Sequence, residues 1–361
     1  MRTMGRLNLF TEIPLYEEYY VNDSKFVLNS SFDTDLMPRK DVENLDIFYS
    51  KLSPVEDWLV AMYLGLVGIV SIFLNLMVLF VCFKTRQTLK TIDYFIVNLA
   101  ITDLCLPLFG FPLVVTSSIQ HQWQFGVYGC YIYGFLGFFC GTVSISTLAM
   151  MSFVRYMSVC EMQKSVHLSR HTTLLVLFTY LYACIWSFPP FIGWGDYGVE
   201  PHGTSCTLNW SGSRSFVTTM LVMCIILPVV IMTICYGRVL LFLKRSSHNL
   251  QKWTAHRTNR KHTNRKLEGS LIKLTFTMCV AFVLTWTPYA VCSLWTAYGN
   301  KDVVPIRLTL ASILIAKLST IINPTIYFVL NKKFRPVIKR YLSMPFNGII
   351  NLIGDKSSTS G

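Results

Sequence analysis

The stretch Leu308–Leu330 reads LTLASILIAKLSTIINPTIYFVL, apolar enough and long enough to cross a membrane, yet it holds one ionisable side chain, Lys317, near its middle. A helix rises about 1.5 Å per residue, so about 20 apolar residues cross a hydrocarbon core of about 30 Å. A lysine at the centre of such a helix costs roughly 2.5–3.5 kcal/mol on insertion scales, so a residue of this kind is a functional hypothesis by default. The ordinary explanation is a lysine that snorkels to a headgroup or pairs with a carboxylate. Lys317 lies several turns from either end of the stretch, too far for its stem to reach a headgroup easily.

The rest of the chain has the same character. Of its 361 residues 52% are hydrophobic and 14% charged, too apolar for an ordinary soluble domain, and the chain reads as an integral membrane protein. The formal net charge of +13 is spread in short basic runs beside apolar segments, as membrane topology places them, which removes nucleic acid as a partner. Most of the 11 cysteines fall inside apolar runs, where a free Cys behaves as a small hydrophobe. Cys130 and Cys206 differ, because both lie in or beside polar loops. No metal ligand set is expected.

Apolar stretches of spanning length occur at Trp58–Phe83, Ile92–Ile119, Gly126–Cys160, Thr172–Trp194, Phe216–Leu243, Leu271–Tyr298 and Val304–Leu330. The expected fold is therefore all-α, a bundle of seven transmembrane helices over residues 58–330. Pro107, Pro112, Pro189, Pro190, Pro228, Pro288 and Pro324 fall inside the stretches; prolines there are tolerated where neighbouring helices re-satisfy the freed backbone groups, and they kink the bundle.

The links after the first, third and fifth stretches carry Lys84, Arg86 and Lys90, then Lys164 and Arg170, then a run from Lys244 to Lys266, whereas Gln120–Phe125 has no Lys or Arg. The basic side is read as the cytoplasm, with the N-terminus outside the cell. Cys130 and Cys206 then both face the oxidising side and can pair, tying the third helix to the loop Gly195–Arg214. Residues 1–57, with sequons at Asn22 and Asn29, read as an extracellular tail without a cleavable signal peptide. The segment 331–342 alternates basic and apolar residues as a short amphipathic helix on the inner membrane surface does, and 343–361 reads as a cytoplasmic tail.

With these features on the chain, residues 56–342 resemble the rhodopsin-like family of G-protein-coupled receptors. The resemblance is carried by Asn75, Asp103 in NLAITDL, Cys130, Arg155-Tyr156, Pro228 with Tyr236, Phe282-x-x-x-Trp286-x-Pro288 and Asn323-Pro324-x-x-Tyr327, in the family's order and spacing. Asp103, Asn75 and Asn323 are polar groups at lipid depth that must satisfy one another directly or through water. Arg155 and Glu268 end two helices at the cytoplasmic face, where an ion pair would hold the helices together. The resemblance implies an activation switch made of Asp103, Arg155, Tyr236, Glu268, Asn323, Pro324 and Tyr327.

Lys317 stands six residues before Asn323, a spacing similar to the opsins, in which this lysine binds retinal as a Schiff base. That chemistry needs a primary amine in a water-poor cavity, and the buried cation it creates needs a carboxylate. In vertebrate visual opsins the counterion stands three residues after the third-helix cysteine, where this chain has Tyr133. The loop Gly193–Cys206 instead offers Glu200, six residues before its cysteine, a position that serves as counterion in most other opsins. Glu200 is therefore the expected counterion, Tyr133 a hydrogen-bonding neighbour, and Asp196 a solvated residue nearer the loop entrance. The pocket implied by the resemblance contains Tyr133, Gly134, Gly137, Gly141, Met220, Phe282, Trp286 and Tyr289.

The implied function is a light-sensing receptor, not an enzyme, carrying 11-cis-type retinal and activating a heterotrimeric G protein, with arrestin and a receptor kinase as further partners. The implied motion is a pivot of the sixth helix at Pro288, which parts Arg155 from Glu268. The subgroup resembles neuropsin or xenopsin, and Asn331-Lys332-Lys333 is similar to a Gi/o- or transducin-coupling segment. Two positions depart from the family: Val154 replaces the acid before Arg155, and Tyr180 the tryptophan of the fourth helix. The rival readings are a retinal photoisomerase of opsin fold and a receptor for a diffusible ligand.

Overall fold

The computed structural model describes residues 47–161, 165, 170–251, 259–299 and 304–331, with the backbone alone over 246–251 and 259–268. The sequons, the segment 332–342 and the C-terminal tail lie outside the described residues. Among the described residues, seven helices are long and apolar enough to cross a membrane: α1 Pro54–Lys84, α2 Thr91–Ile119, α3 Gly126–Cys160, α4 Thr172–Ile192, α5 Arg214–Arg245, α6 Gly269–Tyr298 and α7 Ile306–Leu330. Outward-facing Leu66, Ile69, Phe73, Leu181, Ile234 and Leu284 are exposed, as lipid-facing side chains are.

Local chemistry sets the ends and bends. Ser53 caps α1, its hydroxyl accepting from Glu56 N while Glu56 accepts from Ser53 N at 2.9 Å, with Pro54 in the first turn. In α2 a π turn covers Leu106–Gly110, and Phe111 N–H reaches back to Leu106 O. In α5 a second π turn covers Leu221–Ile226; Leu227 N–H goes to Val222 O, and the Met223 carbonyl accepts instead from Tyr182 OH on α4 at 2.7 Å. Pro324 has no N–H for the Thr320 carbonyl, which accepts from Asn75 Nδ2 at 2.9 Å and Ser71 Oγ at 3.2 Å on α1. Neighbouring helices thus satisfy the groups that these irregular turns leave open.

Two details of the expected fold change. Pro189 and Pro190 open a 3₁₀ turn, Pro189–Ile192, that closes the fourth span rather than kinking its α-helical part. The bundle is also not purely helical, since the loop after α4 forms an antiparallel hairpin, β1 Tyr197–Val199 with β2 Cys206–Leu208, in register Tyr197↔Leu208 and Val199↔Cys206. Cys206 on β2 is joined to Cys130 on α3 by a disulfide. The hairpin packs over one end of the bundle, with Tyr197 and Leu208 buried against Phe216, Val217 and Met220 of α5. Gly203, at φ +95°, makes its turn; a Cβ there would stand 2.1 Å from Tyr49 O, so only glycine fits.

Candidate functional site

Lys317 ends the first α-helical segment of α7, Ile306–Lys317, and the helix resumes at Ser319. Between them the chain tightens: Leu318 N–H bonds Ile315 O at 3.1 Å and Ile321 N–H bonds Leu318 O at 3.0 Å, both three residues back. Lys317 is half-buried. Its Nζ lies 6.0 Å from the ring centroid of Phe111 and 5.5 Å from that of Tyr133, within range of a cation–π attraction. Phe111 directly follows the π turn of α2, so the irregular turn sets the position of one wall of the lysine's surroundings.

Glu200 sits in the turn after β1. Its N–H bonds Ser205 O at 2.8 Å and its carbonyl accepts from Gly203 N at 2.9 Å. The side chain is only 5% exposed. Tyr289 OH donates to Glu200 Oε1 at 3.3 Å, and that phenol oxygen in turn meets Thr207 Oγ1 at 2.7 Å and Trp210 Nε1 at 3.1 Å. Burial pushes the Glu200 carboxyl from 4.5 up to about 7, while the charge of Lys317 works in the opposite direction. No ion pair within 4.0 Å joins the two, so they act on each other through space.

One cavity is lined by Lys317 and Glu200 together with Tyr133, Gly134, Gly137, Gly141, Met220, Phe282, Trp286 and Tyr289. Every expected pocket residue therefore falls on one cavity. Trp286 stacks on Phe282 with centroids 5.6 Å apart and meets Tyr289 edge-on at 6.2 Å. Its buried Nε1 has no hydrogen-bond partner among the described residues. A Cβ on Gly141 would come within 3.2 Å of the Trp286 ring and one on Gly134 within 2.8 Å of Tyr197, whereas one on Gly137 would meet nothing within 4 Å. An elongated apolar ligand with an aldehyde end fits this lining, which is apolar along its walls and brings one amine and one buried carboxyl to the cavity.

Two expectations change in detail, and the direct form of a third is absent among the described residues. Tyr133 makes no hydrogen bond among the described residues; it offers Lys317 its ring face. Asp196 is half-buried and accepts a hydrogen bond from Tyr131 OH on α3, so it is tied to the bundle instead of solvated. Asn75 binds neither Asp103 nor Asn323 directly, because the carbonyl left open by Pro324 takes its amide. Asn323 Nδ2 does donate to Asp103 Oδ2 at 3.0 Å.

At the other end of the bundle Arg155 and Tyr236 are buried. The Glu268 side chain lies outside the described residues. Tyr327 OH donates to Asp93 Oδ1 at 3.3 Å, and Asp93 Oδ2 accepts from Lys90 N at 2.8 Å. Asp93, Thr207, Trp210 and Phe111 were not anticipated from the sequence. Asp93 had a signal, standing three residues into a helix that follows a basic link; the others look like ordinary loop or packing residues until the chain is folded.

The sequence matches the model of the 7 transmembrane receptor (rhodopsin family) over residues 74–327. It is 36% identical to Opsin-5 of Mus musculus over 296 residues, covering 80% of this chain and 78% of that protein. It is 33% identical to the visual pigment-like receptor peropsin of Homo sapiens over 291 residues, covering 79% and 85%. The crystal structure of squid rhodopsin matches with a TM-score of 0.74 at 26% identity, covering 81% of this chain and 82% of that one. With the cavity around Lys317 on a fold of this kind, the chain belongs to the rhodopsin family of seven-transmembrane receptors, and within it to the opsins, as a light-sensing G-protein-coupled receptor.

Proposed function

We propose that Lys317 holds 11-cis-type retinal as a protonated Schiff base, with Glu200 as its counterion and the cavity around Trp286 and Tyr289 as its pocket. The observation that carries this reading is the convergence of one amine and one buried, hydrogen-bonded carboxyl on a single apolar cavity. When bound, retinal supplies light absorption and a change of shape. The chain's own residues do the rest.

Burial makes the Glu200 carboxyl a reluctant anion, and a fixed cation at Lys317 draws it into the charged form. Tyr289 then stabilises the carboxylate through its hydroxyl, itself held by Thr207 and Trp210. The Phe282–Trp286 stack lies one turn from Pro288, where α6 lacks a backbone donor and can bend. Movement of α6 about that point changes the spacing of Arg155, Tyr236 and Glu268, while Asp103–Asn323 and Asp93–Tyr327 tie α7 to α2 in the resting state. In this reading the N-terminus is extracellular, the receptor lies in the cell membrane, and its partner is a Gi/o- or transducin-like G protein, with arrestin and a receptor kinase acting after it.

The test is to express the chain, add 11-cis-retinal, and record absorption before and after light together with nucleotide exchange on a Gi/o protein. A visible pigment with light-dependent exchange supports the reading. Absence of pigment contradicts it, and a pigment that isomerises retinal without any exchange favours a photoisomerase. Glu268→Gln is expected to raise exchange in the dark, because Val154 brings no second carboxylate to Arg155.

A further inference from the structure

Cys279 is one of the nine cysteines outside the disulfide, and a buried cysteine commonly fills space as a small hydrophobe. Its thiol does more than that, because it meets polar groups on two other helices. Cys279 Sγ, on α6, lies 3.4 Å from Ser152 Oγ and 3.8 Å from the Leu148 carbonyl, both on α3, and 3.9 Å from Tyr236 OH on α5. Ser152, Tyr236 and Cys279 are all buried. The Ser152 hydroxyl donates to Leu148 O at 2.8 Å, so its oxygen is an acceptor for the thiol, whose S–H is a weak donor.

The place of this contact on α6 matters. Cys279 stands three residues before Phe282 and seven before Trp286, a spacing that sets all three on one face of the helix. Trp286 meets α3 at Gly141, where a Cβ would come within 3.2 Å of its ring, and Cys279 meets α3 again at Ser152, nearer the end of α6 that adjoins a basic link. Tyr236 touches α6 a second time through Phe276, edge-on with ring centroids 5.2 Å apart. A swing of α6 away from α3 about Pro288 therefore has to break the Ser152–Cys279 contact, and a thiol hydrogen bond is weak enough to restrain that swing without preventing it.

We propose that Cys279 is a positioning residue of the receptor switch, its thiol latching α6 to Ser152 of α3 and holding the Tyr236 hydroxyl of α5 in the resting receptor. Movement of the Phe282–Trp286 face of α6 releases both contacts. The proposal rests on the chain being a light-driven receptor and not on the assignment of Glu200 as counterion. Cys279 is not among the residues that line the cavity at Lys317, so it acts through α6 and not on the ligand.

The test measures nucleotide exchange on a Gi/o protein by the full chain in nanodiscs, in the dark and after light. Cys279→Val, which keeps the bulk and removes the thiol, is expected to raise dark exchange about threefold, the effect of an average interhelical hydrogen bond in a membrane bundle. Ser152→Ala should also raise it, the double variant should not exceed Cys279→Val by much, and Cys279→Ser, which keeps a donor, should return most of the restraint. Packing alone would not move the second readout, the thiol S–H stretch in light-minus-dark infrared spectra. The wild type should show a thiol band that shifts to higher frequency on illumination, missing in Cys279→Val and already shifted in the dark in Ser152→Ala. Pigment formation checks that each variant is folded. If the wild type forms no pigment, the retinal reading has failed, and exchange by the ligand-free chain, still expected to be higher in Cys279→Val, decides the latch separately. Dark exchange unchanged in Cys279→Val or raised equally in Cys279→Ser, or a light-insensitive Cys279 thiol band, overturns the proposal.

Discussion

Tyr289 donates its hydroxyl to Glu200 Oε1 at 3.3 Å, and the Tyr289 phenol oxygen is itself met by Thr207 Oγ1 and Trp210 Nε1, so the buried carboxyl of the hairpin is fixed by a residue of α6. This contact joins the loop pinned by Cys130–Cys206 to the helix that carries Trp286. Glu200→Gln is expected to move the absorption maximum from the visible into the near ultraviolet at neutral pH. Tyr289→Phe, which removes one hydrogen bond to a charged group worth about 1.5–3 kcal/mol, is expected to give a smaller shift and a pigment that bleaches faster. Spectra of both variants check the order, and an unshifted Glu200→Gln spectrum removes Glu200 from the counterion role.

Tyr133 is expected to act through its ring. Its hydroxyl has no hydrogen-bond partner among the described residues, while its ring lies 5.5 Å from Lys317 Nζ. Tyr133→Phe should therefore leave pigment yield and absorption nearly unchanged, and Tyr133→Leu should lower both. A large spectral shift in the Phe variant would show that the hydroxyl contacts the bound chromophore.

The ligand-free protein should lose stability as pH rises. Glu200 has a folded value of about 7 against an ordinary value of 4.5, so between those values the native state holds a proton that the unfolded chain has released. Stability contributed by the neutral carboxyl is fully present below 4.5 and declines as pH climbs through about 7. Thermal unfolding of the apoprotein across this window measures the slope. Glu200→Gln should flatten it; an equal slope in the variant assigns the dependence to other groups.

The Asp93–Tyr327 contact is expected to restrain the resting receptor. Asp93→Ala and Tyr327→Phe should each raise nucleotide exchange in the dark, and the double variant should not exceed Asp93→Ala by much, since both remove the shared Asp93–Tyr327 contact and Asp93→Ala also removes the cap on Lys90 N. Additive increases would mean that the two residues act separately.

The fold was legible because its signals are long. Seven apolar runs and two loop cysteines define spans and a disulfide with little competition from other readings. The lysine was legible because a charge at that depth is expensive. What the sequence hid depends on backbone irregularity or on loop folding. The π turn before Phe111 and the carbonyl left open at Thr320 redirect side chains by a fraction of a turn, so Phe111 reaches Lys317 and the Asn75 amide reaches Thr320 O. Thr207 and Trp210 reach Tyr289 only because the hairpin folds back over the bundle. Asp196 looked like a solvated loop acid because its partner, Tyr131, is 65 residues away in sequence.

The central claim is the covalent attachment at Lys317. The most direct measurement is borohydride reduction of the reconstituted pigment followed by digestion and mass spectrometry. The account predicts a retinyl adduct on Lys317 and no adduct in Lys317→Ala. An adduct on another lysine, or an undiminished visible pigment in Lys317→Ala, would contradict it.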